Sequence, residues 1–585
     1  MPFRHQARAN IALIALVFIA ALLYLLGLGS PYAPTNGDEM VYIHIARMTA
    51  ESGHWLPLQS ELVGTRNTKP PLLIWQAMVA GGWGQWWSLA ALRLPSVLYT
   101  FATTGMLAFF AHRLQTDAAQ KWRTACIAAA LYLLFFSTFR YGRAYLTSAP
   151  ETFWLALPMW WVLWQRLRQA EQQHMGWLAA TLMGVAMGLG AAYKSFALVA
   201  PAAASVWAAW LLTAPRITWP LLWRTSLQLA WSTLIGVGLF ALWFVLDPDP
   251  AAVWQEFVVA ENAGKMSGGL GYWHAALFGA YPMWTQLYAY PANGGLLVLV
   301  VGGFCLWAVW QLRQRGQLAA LAHPQRVVLA WVLVWLVVFT LPSQRSERYL
   351  IPAMPAIAIA MALVWDRIPR IWFALTLLLL APALILLARI GWVMADMGVS
   401  GNTDVALVLV ASSTGITAVS AGFFFRNWTR TAALAATAAV YACFGAMVAP
   451  LSAADTAWGP DIQQALRDKR VAVPNGFTGQ YERFHFRLDH ARITPYDAEG
   501  RNTGALYPDM ASDARLMRLL REFDAVVWLQ DDLAETEPSC TPQCRVLATR
   551  WHVKSRHKTG EVTLDNLWYP QQWLFRREWL LVPAM

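Results

Sequence analysis

Charged residues are scarce in this sequence. Lys, Arg, Asp and Glu together make up 13% of its 585 residues, about half the roughly 25% of an ordinary soluble domain. That shortage excludes a solvated globular fold for most of the chain. Cysteine is scarcer still, with 5 in all, too few and too scattered for a disulfide scaffold or a zinc ribbon. No low-complexity segment and no obvious internal repeat stands out. A phosphate-cradling glycine loop is also missing, because "GLGAAYKS" lacks the glycine that must precede the lysine.

What fills the chain instead is apolar. Hydrophobic residues make up 57% of it, and runs near the ~20 residues needed to cross a bilayer recur along most of its length. Candidate spans lie at 11–29, 91–111, 124–139, 151–165, 177–193, 196–213, 225–246, 292–312, 327–341, 349–365, 372–391, 405–424 and 431–450, about thirteen in all. The first is read as a retained span, since its apolar region is too long for a cleaved leader and "LGLGSPY" is a poor cleavage site. The expected division is a membrane domain over 1–450 and a soluble tail over 451–585.

The net charge of +11 does not point to nucleic acid, because most basic residues fall in short loops between spans, such as Arg113, Lys121 and Arg123, or Arg426 and Arg430. Such loops mark the cytoplasmic side. The N-terminus is then cytoplasmic, and an odd number of spans puts the tail outside. Two outward loops are long, 30–90 and 247–290, and long loops in a compact protein usually carry function. The first reads as helix, turn, helix, with Val41, Ile45 and Met48 on one face, Gly53 as a stop and "KPPL" opening the second helix. In the tail, "DIQQALRDKR" and "SDARLMRLLREF" read as helices and "VAV", "DAVVWLQ" and "CRVLATRWHV" as strands, which suggests a small α/β unit. Cys126, Cys305 and Cys443 lie in spans as small buried thiols, whereas Cys540 and Cys544 in the outward tail suit a disulfide.

Sorted by side, the ionisable residues are uneven. Asp38, Glu39, Arg66, Lys69, Arg143, Glu151, Lys194, Glu261, Lys265, Arg345, Arg348 and Tyr349 all sit at outward loop–span junctions. Charges at membrane depth cost about 2.5–3.5 kcal/mol each on insertion scales and therefore face a cavity or a partner. One wet cavity ringed by these junctions, mostly cationic with a few carboxylates, suits an anionic substrate carried by a lipid. Each residue also has a plainer reading. Lys194 is either a phosphate ligand or a snorkelling lysine at a turn. Lys69, held by the prolines after it, is a ligand or a flanking charge. Arg345 and Arg348 clamp a phosphate or pair with Glu347. Asp38 and Glu39 are the only adjacent acids in the outward loops between spans. One serves as general base on an acceptor hydroxyl while the other orients it, or both are a solvated first helical turn.

The blocks "GDEMVYIHIARM", "ESGHWLP", "TKPPLLIW" and "LRLPSVLY" resemble the first outward loop of the GT-C glycosyltransferases of the protein O-mannosyltransferase superfamily, whose bacterial branch includes the aminoarabinose transferase that modifies lipid A. "RYGRAYLTSAPETF", "GLGAAYKSFALVAP", "FVVAENAGKM" and "SQRSERYLIPAMPAIAI" resemble further blocks in the same order. The resemblance implies a GT-C fold with a small periplasmic α/β domain in the bacterial inner membrane. It implies inverting transfer of a sugar from polyprenyl phosphate to a lipid, glycan or protein acceptor. Asp38, with Glu39, matches the family's catalytic acid, and Lys69, Lys194, Tyr349 and Arg345 match donor-phosphate contacts. Arg66, Arg143, Glu151, Glu261, Lys265 and Arg348 are candidate substrate contacts. The chain departs from the branch at Val41, where arginine is usual, in "RNTK", and in "ENAGK", where Asn262 and Lys265 replace histidine and arginine. The lost glutamate and histidine imply no metal site and no cofactor, with a divalent cation left open. Two rival classes remain beside the transferase: a lipid-linked-sugar flippase, which would place charges in mid-span, and a non-catalytic envelope assembly protein using the tail for docking.

Overall fold

The computed structural model describes residues 2–32, 37–168, 175–262, 272–314, 321–452, 458–488, 490–498, 505–507, 510–530, 537–554, 557 and 559–584. Every apolar run expected to span folds as helix. Seven helices among the described residues are long and apolar enough to cross a membrane: Leu89–Leu114, Trp219–Leu246, Met283–Arg313, His323–Thr340, Arg370–Asp396, Asn402–Phe424 and Thr429–Val448. The other runs form shorter or more polar helices, including Lys121–Leu134 and Met354–Leu363. Lys121–Leu134 is buried almost all round, as expected of a helix surrounded by protein rather than lipid. The chain is a multi-pass membrane protein.

Four elements frame the first outward loop: helices α1 (Pro2–Leu22), α2 (Gly37–Glu51), α3 (Pro71–Ala80) and α4 (Leu89–Leu114). Local chemistry sets their starts. The acids Asp38 and Glu39 occupy the first turn of α2, where the helix dipole favours negative charge. Proline opens α3, at a position with no intrahelical partner for its missing N–H. The Ser88 hydroxyl accepts from the Ala91 amide to cap α4.

The tail contains a five-stranded sheet in the order β2-β1-β3-β5-β4. Strand β1 (Arg470–Asn475) pairs in parallel with β2 (Arg492–Asp497) and β3 (Ala525–Gln530), and β5 (Phe575–Pro583) runs antiparallel to both β3 and β4 (Cys544–Val553). The helix Ser512–Glu522 buries Leu516, Leu519 and Leu520, which cluster with Val526 of β3 and Leu581 of β5. Cys540 and Cys544 are joined by a disulfide. Strands β2 and β5 were not anticipated from the sequence.

The tail does not hang free. Its turn Gln480–Phe484 packs on α2. Gly479 has φ +76°, and a Cβ there would come within 2.9 Å of the Val41 side chain, so glycine permits both the backbone and the contact. Glu482, fully buried, accepts from Arg47 Nε at 2.6 Å and Nη2 at 3.1 Å and meets His44 Nδ1 at 3.1 Å. His44 Nε2 accepts the Glu61 backbone N–H at 3.1 Å, so the ring proton sits on Nδ1 and is donated to Glu482. Together with α3 and with Arg93 of α4 on its other faces, this cover leaves α2 buried at Glu39, Met40, Tyr42, Ile43, His44, Ile45, Ala46 and Thr49, far beyond the single apolar stripe expected.

Burial raises the Glu482 pKa, but hydrogen bonds from His44 and Arg47 and the nearby His485 outweigh it and hold the carboxyl down at about 2, against an ordinary 4.5. A depressed folded value stabilises the docked tail fully above about 4.5, and the contribution is lost as pH falls toward about 2. Glu482→Gln should therefore loosen the tail at neutral pH, seen as faster limited proteolysis of the 451–585 segment. The difference from the parent protein should shrink through that acid window.

Candidate active site

Successive helical residues are rotated by about 100°, so adjacent acids at the start of α2 face different ways. Glu39 points inward and is fully buried. Arg93 of α4 grips it with Nε on Oε1 and Nη2 on Oε2, each at 2.8 Å, and the Tyr145 amide donates to Oε1 at 2.8 Å. The remaining Arg93 nitrogen, Nη1, donates to the carbonyls of Leu28 and Ser30 at 2.6 and 2.7 Å. Glu39 is thus committed to the scaffold, and its carboxylate is closed to an acceptor. Asp38 points the other way, 49% exposed at its side chain, with Oδ2 3.2 Å from Arg348 Nη1.

Around Asp38 gather side chains from far along the chain. Tyr42, one turn on from Asp38, lies under Lys69 with 5.7 Å from Nζ to the ring centre, and is within electrostatic reach of Asp38, Arg348, Glu261 and Glu151. Lys69 Nζ donates to Glu261 Oε1 at 2.9 Å and to the Thr68 carbonyl at 2.8 Å. Lys194 Nζ donates to Glu151 Oε1 at 2.9 Å and sits 5.5 Å over the Tyr349 ring. Among the described residues, the second Glu151 oxygen is buried with no hydrogen-bond partner. Arg348 stacks 4.8 Å over Tyr141. Lys194 feels both Lys69 and Arg348, and burial pushes its ammonium below the ordinary value while Glu151 opposes that. The centre is therefore built of three cation–carboxylate pairs, Lys69–Glu261, Lys194–Glu151 and Arg348–Asp38, rather than the largely cationic ring expected.

Other expected residues take different places. Arg143 is buried and donates to the carbonyls of Leu23 and Leu26 at 3.0 and 2.7 Å, tying down the chain that leaves α1 instead of facing the cluster. Arg66 turns to the second loop, 3.6 Å from Asp249 and 4.0 Å from Asp247. Arg345 donates to the carbonyls of Thr340 and Tyr281, both at 2.8 Å, and its Nη2 is buried without a hydrogen-bond partner. It lines a cavity of about 580 Å³ with Tyr281, Gln286, Tyr288, Glu347 and Tyr349, so Tyr349 joins this cavity to the Lys194 side of the cluster. Lys265 lies outside the described residues. Sequence reasoning missed Arg93, although a charge inside an apolar run was a visible signal. It also missed Tyr42, whose spacing of four from Asp38 puts both on one helical face.

Residues 11–254 match the family described as dolichyl-phosphate-mannose-protein mannosyltransferase. Among curated relatives, the undecaprenyl phosphate-alpha-4-amino-4-deoxy-L-arabinose arabinosyl transferase of Pectobacterium carotovorum subsp. carotovorum is 26% identical over 358 residues, which is 59% of this chain and 58% of that protein. The corresponding transferases 1 of Sodalis glossinidius and Pseudomonas fluorescens are 26% and 25% identical, over 56% and 62% of this chain and 54% and 60% of theirs. The matches thus span less than two thirds of these relatives. ArnT from Cupriavidus metallidurans shares the fold, both in the apo state and bound to undecaprenyl phosphate. Each of those structures has a TM-score of 0.52 and 18% identity, and the alignment covers 92% of this chain and 96% of ArnT. The architecture is that of a GT-C protein with a small C-terminal sheet domain.

Arg93→Met leaves the buried Glu39 charge unpaired, and a loss of roughly 3–5 kcal/mol of stability is expected. The double variant Arg93→Met with Glu39→Met should recover most of it. Thermal unfolding of the purified protein in detergent measures both.

Proposed function

We propose that the chain transfers a sugar from a polyprenyl-phosphate donor to a hydroxyl or phosphate acceptor at the outer face of the bacterial inner membrane. The observation that carries this reading is the meeting of Asp38, Lys69, Glu151, Lys194, Glu261 and Arg348, drawn from distant segments, around Tyr42 and Tyr349. The relatives' names, which specify an undecaprenyl-phosphate-linked donor, support the donor class. In this reading 1–450 is the catalytic membrane domain and 451–585 the periplasmic domain.

Asp38 is the base. Its carboxylate is the exposed member of the acid pair, while Glu39 and Arg143 hold the helix and the loop that present it. An acceptor hydroxyl gives its proton to Asp38 as its oxygen attacks the anomeric carbon, and the carbon–oxygen bond to the lipid phosphate breaks. The leaving phosphate gains charge in that step, and cations already in place stabilise it more in the transition state than in the ground state. Lys69 and Lys194 are those cations. At rest each is held by a glutamate, and an arriving phosphate competes with Glu261 and Glu151 for them. Tyr349 and the unpartnered Nη2 of Arg345 approach the donor from the adjoining cavity. Glu151, Glu261, Arg66, Arg348 and Lys265 are left to the sugar and the acceptor. The donor bond is already activated, so no nucleotide is required.

Transfer by purified protein with defined lipid-linked sugars tests this. With a hydroxyl acceptor, Asp38→Asn should lower kcat by about 10²–10⁴, with unfolding unchanged because Asp38 is half exposed. Lys69→Ala should also abolish most transfer. A phosphate acceptor, already ionised, needs no base, so a mild Asp38→Asn effect there beside a severe Lys69→Ala effect would assign a phosphate acceptor. Parental transfer by both variants overturns the site.

A further inference from the structure

A second charged cluster lies between the sheet and the start of the first outward loop, and the transfer reading does not use it. Glu578 of β5 is fully buried. Four guanidinium groups surround it or its neighbours: Arg550 Nε at 2.5 Å, Arg487 Nη1 at 3.8 Å and Arg483 Nη2 at 3.9 Å from its oxygens, with Arg576 close enough to act on Arg483. Arg483, Arg487 and Arg550 are 7%, 8% and 7% exposed. His552 adds no compensating charge. Burial, reinforced by the arginines, pushes its pKa well down, and its Nδ1 is 2.7 Å from the Tyr32 hydroxyl. The Tyr32 oxygen in turn accepts from Arg550 Nη2 at 3.4 Å, so its proton goes to a neutral imidazole.

Among the described residues this arrangement is short of negative charge. An uncompensated buried ion costs several kcal/mol even after relaxation, and the one carboxylate of Glu578 is shared by Arg483, Arg487 and Arg550. Burial and the neighbouring Arg550 bring Arg487 down only to about 9, so it stays protonated at neutral pH. The donors are short of acceptors as well. Among the described residues, Arg483 Nε and Nη2 and Arg487 Nη1 and Nη2 are buried with no hydrogen-bond partner, and their contacts to Glu578 are too long to be hydrogen bonds. Guanidinium forks with two open nitrogens each match a tetrahedral oxyanion, which accepts several hydrogen bonds at once.

We infer that Arg483, Arg487 and Arg550 form a second anion site, specific for a phosphate-type oxyanion, at the seam between the tail domain and the membrane domain. The anion bridges the turn that also carries Glu482, strand β4 and Tyr32 at the entrance to the catalytic loop. The bound group is free phosphate or the phosphomonoester head of a lipid, and both present the same oxygens. The site is independent of the transfer reading, and its test reads stability rather than sugar transfer.

The full chain is purified in a detergent without phosphate, and thermal unfolding is followed against added inorganic phosphate, with chloride at matched ionic strength as control. A parallel arm adds phosphatidic acid or diacylglycerol to the micelles. Phosphate or phosphatidic acid should raise the unfolding temperature saturably, and chloride and diacylglycerol should not. Arg487→Gln should raise the half-saturating concentration by roughly tenfold or more, as expected for losing a charge-assisted bidentate contact. Glu578→Gln removes the competing carboxylate and should lower it, which separates a ligand site from a merely structural ion cluster. A response to the inorganic ion assigns a free anion, and a response to phosphatidic acid alone assigns a lipid head. Unfolding of the parent protein that ignores both ligands, or a response identical in Arg487→Gln and Glu578→Gln, overturns the site.

Discussion

The bidentate pair between Glu39 and Arg93 holds together the elements that surround Asp38. It joins α2 to α4 directly, and Arg93 also gathers the carbonyls of Leu28 and Ser30 where the chain leaves α1. With the Tyr145 amide on the same carboxylate, four remote stretches converge on two side chains. Two fully buried charges are tolerable only because nearly every donor and acceptor is used. Once Glu39 is locked inward, the rotation of one residue forces Asp38 outward, toward Arg348. The exposed acid is thus positioned by the buried one.

The cations of the cluster beyond Asp38 are each paired at rest. Lys69, Lys194 and Arg348 each hold a carboxylate, which lets charged groups stand together near the membrane without a ligand. The same pairing tunes what can enter. A neutral molecule gains little by separating a lysine from a glutamate, whereas a phosphate offers more acceptor oxygens and more charge. In the proposed reading, selectivity for an anionic donor follows from competition inside the protein, not from a vacant positive hole.

The membrane part of this architecture was legible because apolar runs are long and the bilayer imposes one secondary structure on them. The strands of "VAV", "DAVVWLQ" and "CRVLATRWHV" were legible from β-branched and aromatic residues. β5 escaped because "FRREWLLVP" opens with charges that look like surface, while Glu578 is fully buried and Arg576 half-buried. β2 escaped because "RITPYD" carries a proline and polar residues, which mark an edge strand. At the site, local sequence named Asp38, Lys69, Glu151, Lys194, Glu261 and Arg348. It could not separate Asp38 from Glu39, since that difference depends on Arg93, 54 residues away. Nor could it foresee that Arg143 would cap the end of α1, because a guanidinium aimed at carbonyls and one aimed at a phosphate look alike in one dimension.

The close approach of Gly479 to Val41 makes the sheet domain a neighbour of α2 at van der Waals range, one turn from Asp38. With a Cβ-sized gap at most between them, the two cannot slide past one another at that point without opening the contact. Whatever displaces the sheet domain there therefore also bears on α2 and, in the proposed reading, on the residue that takes the proton.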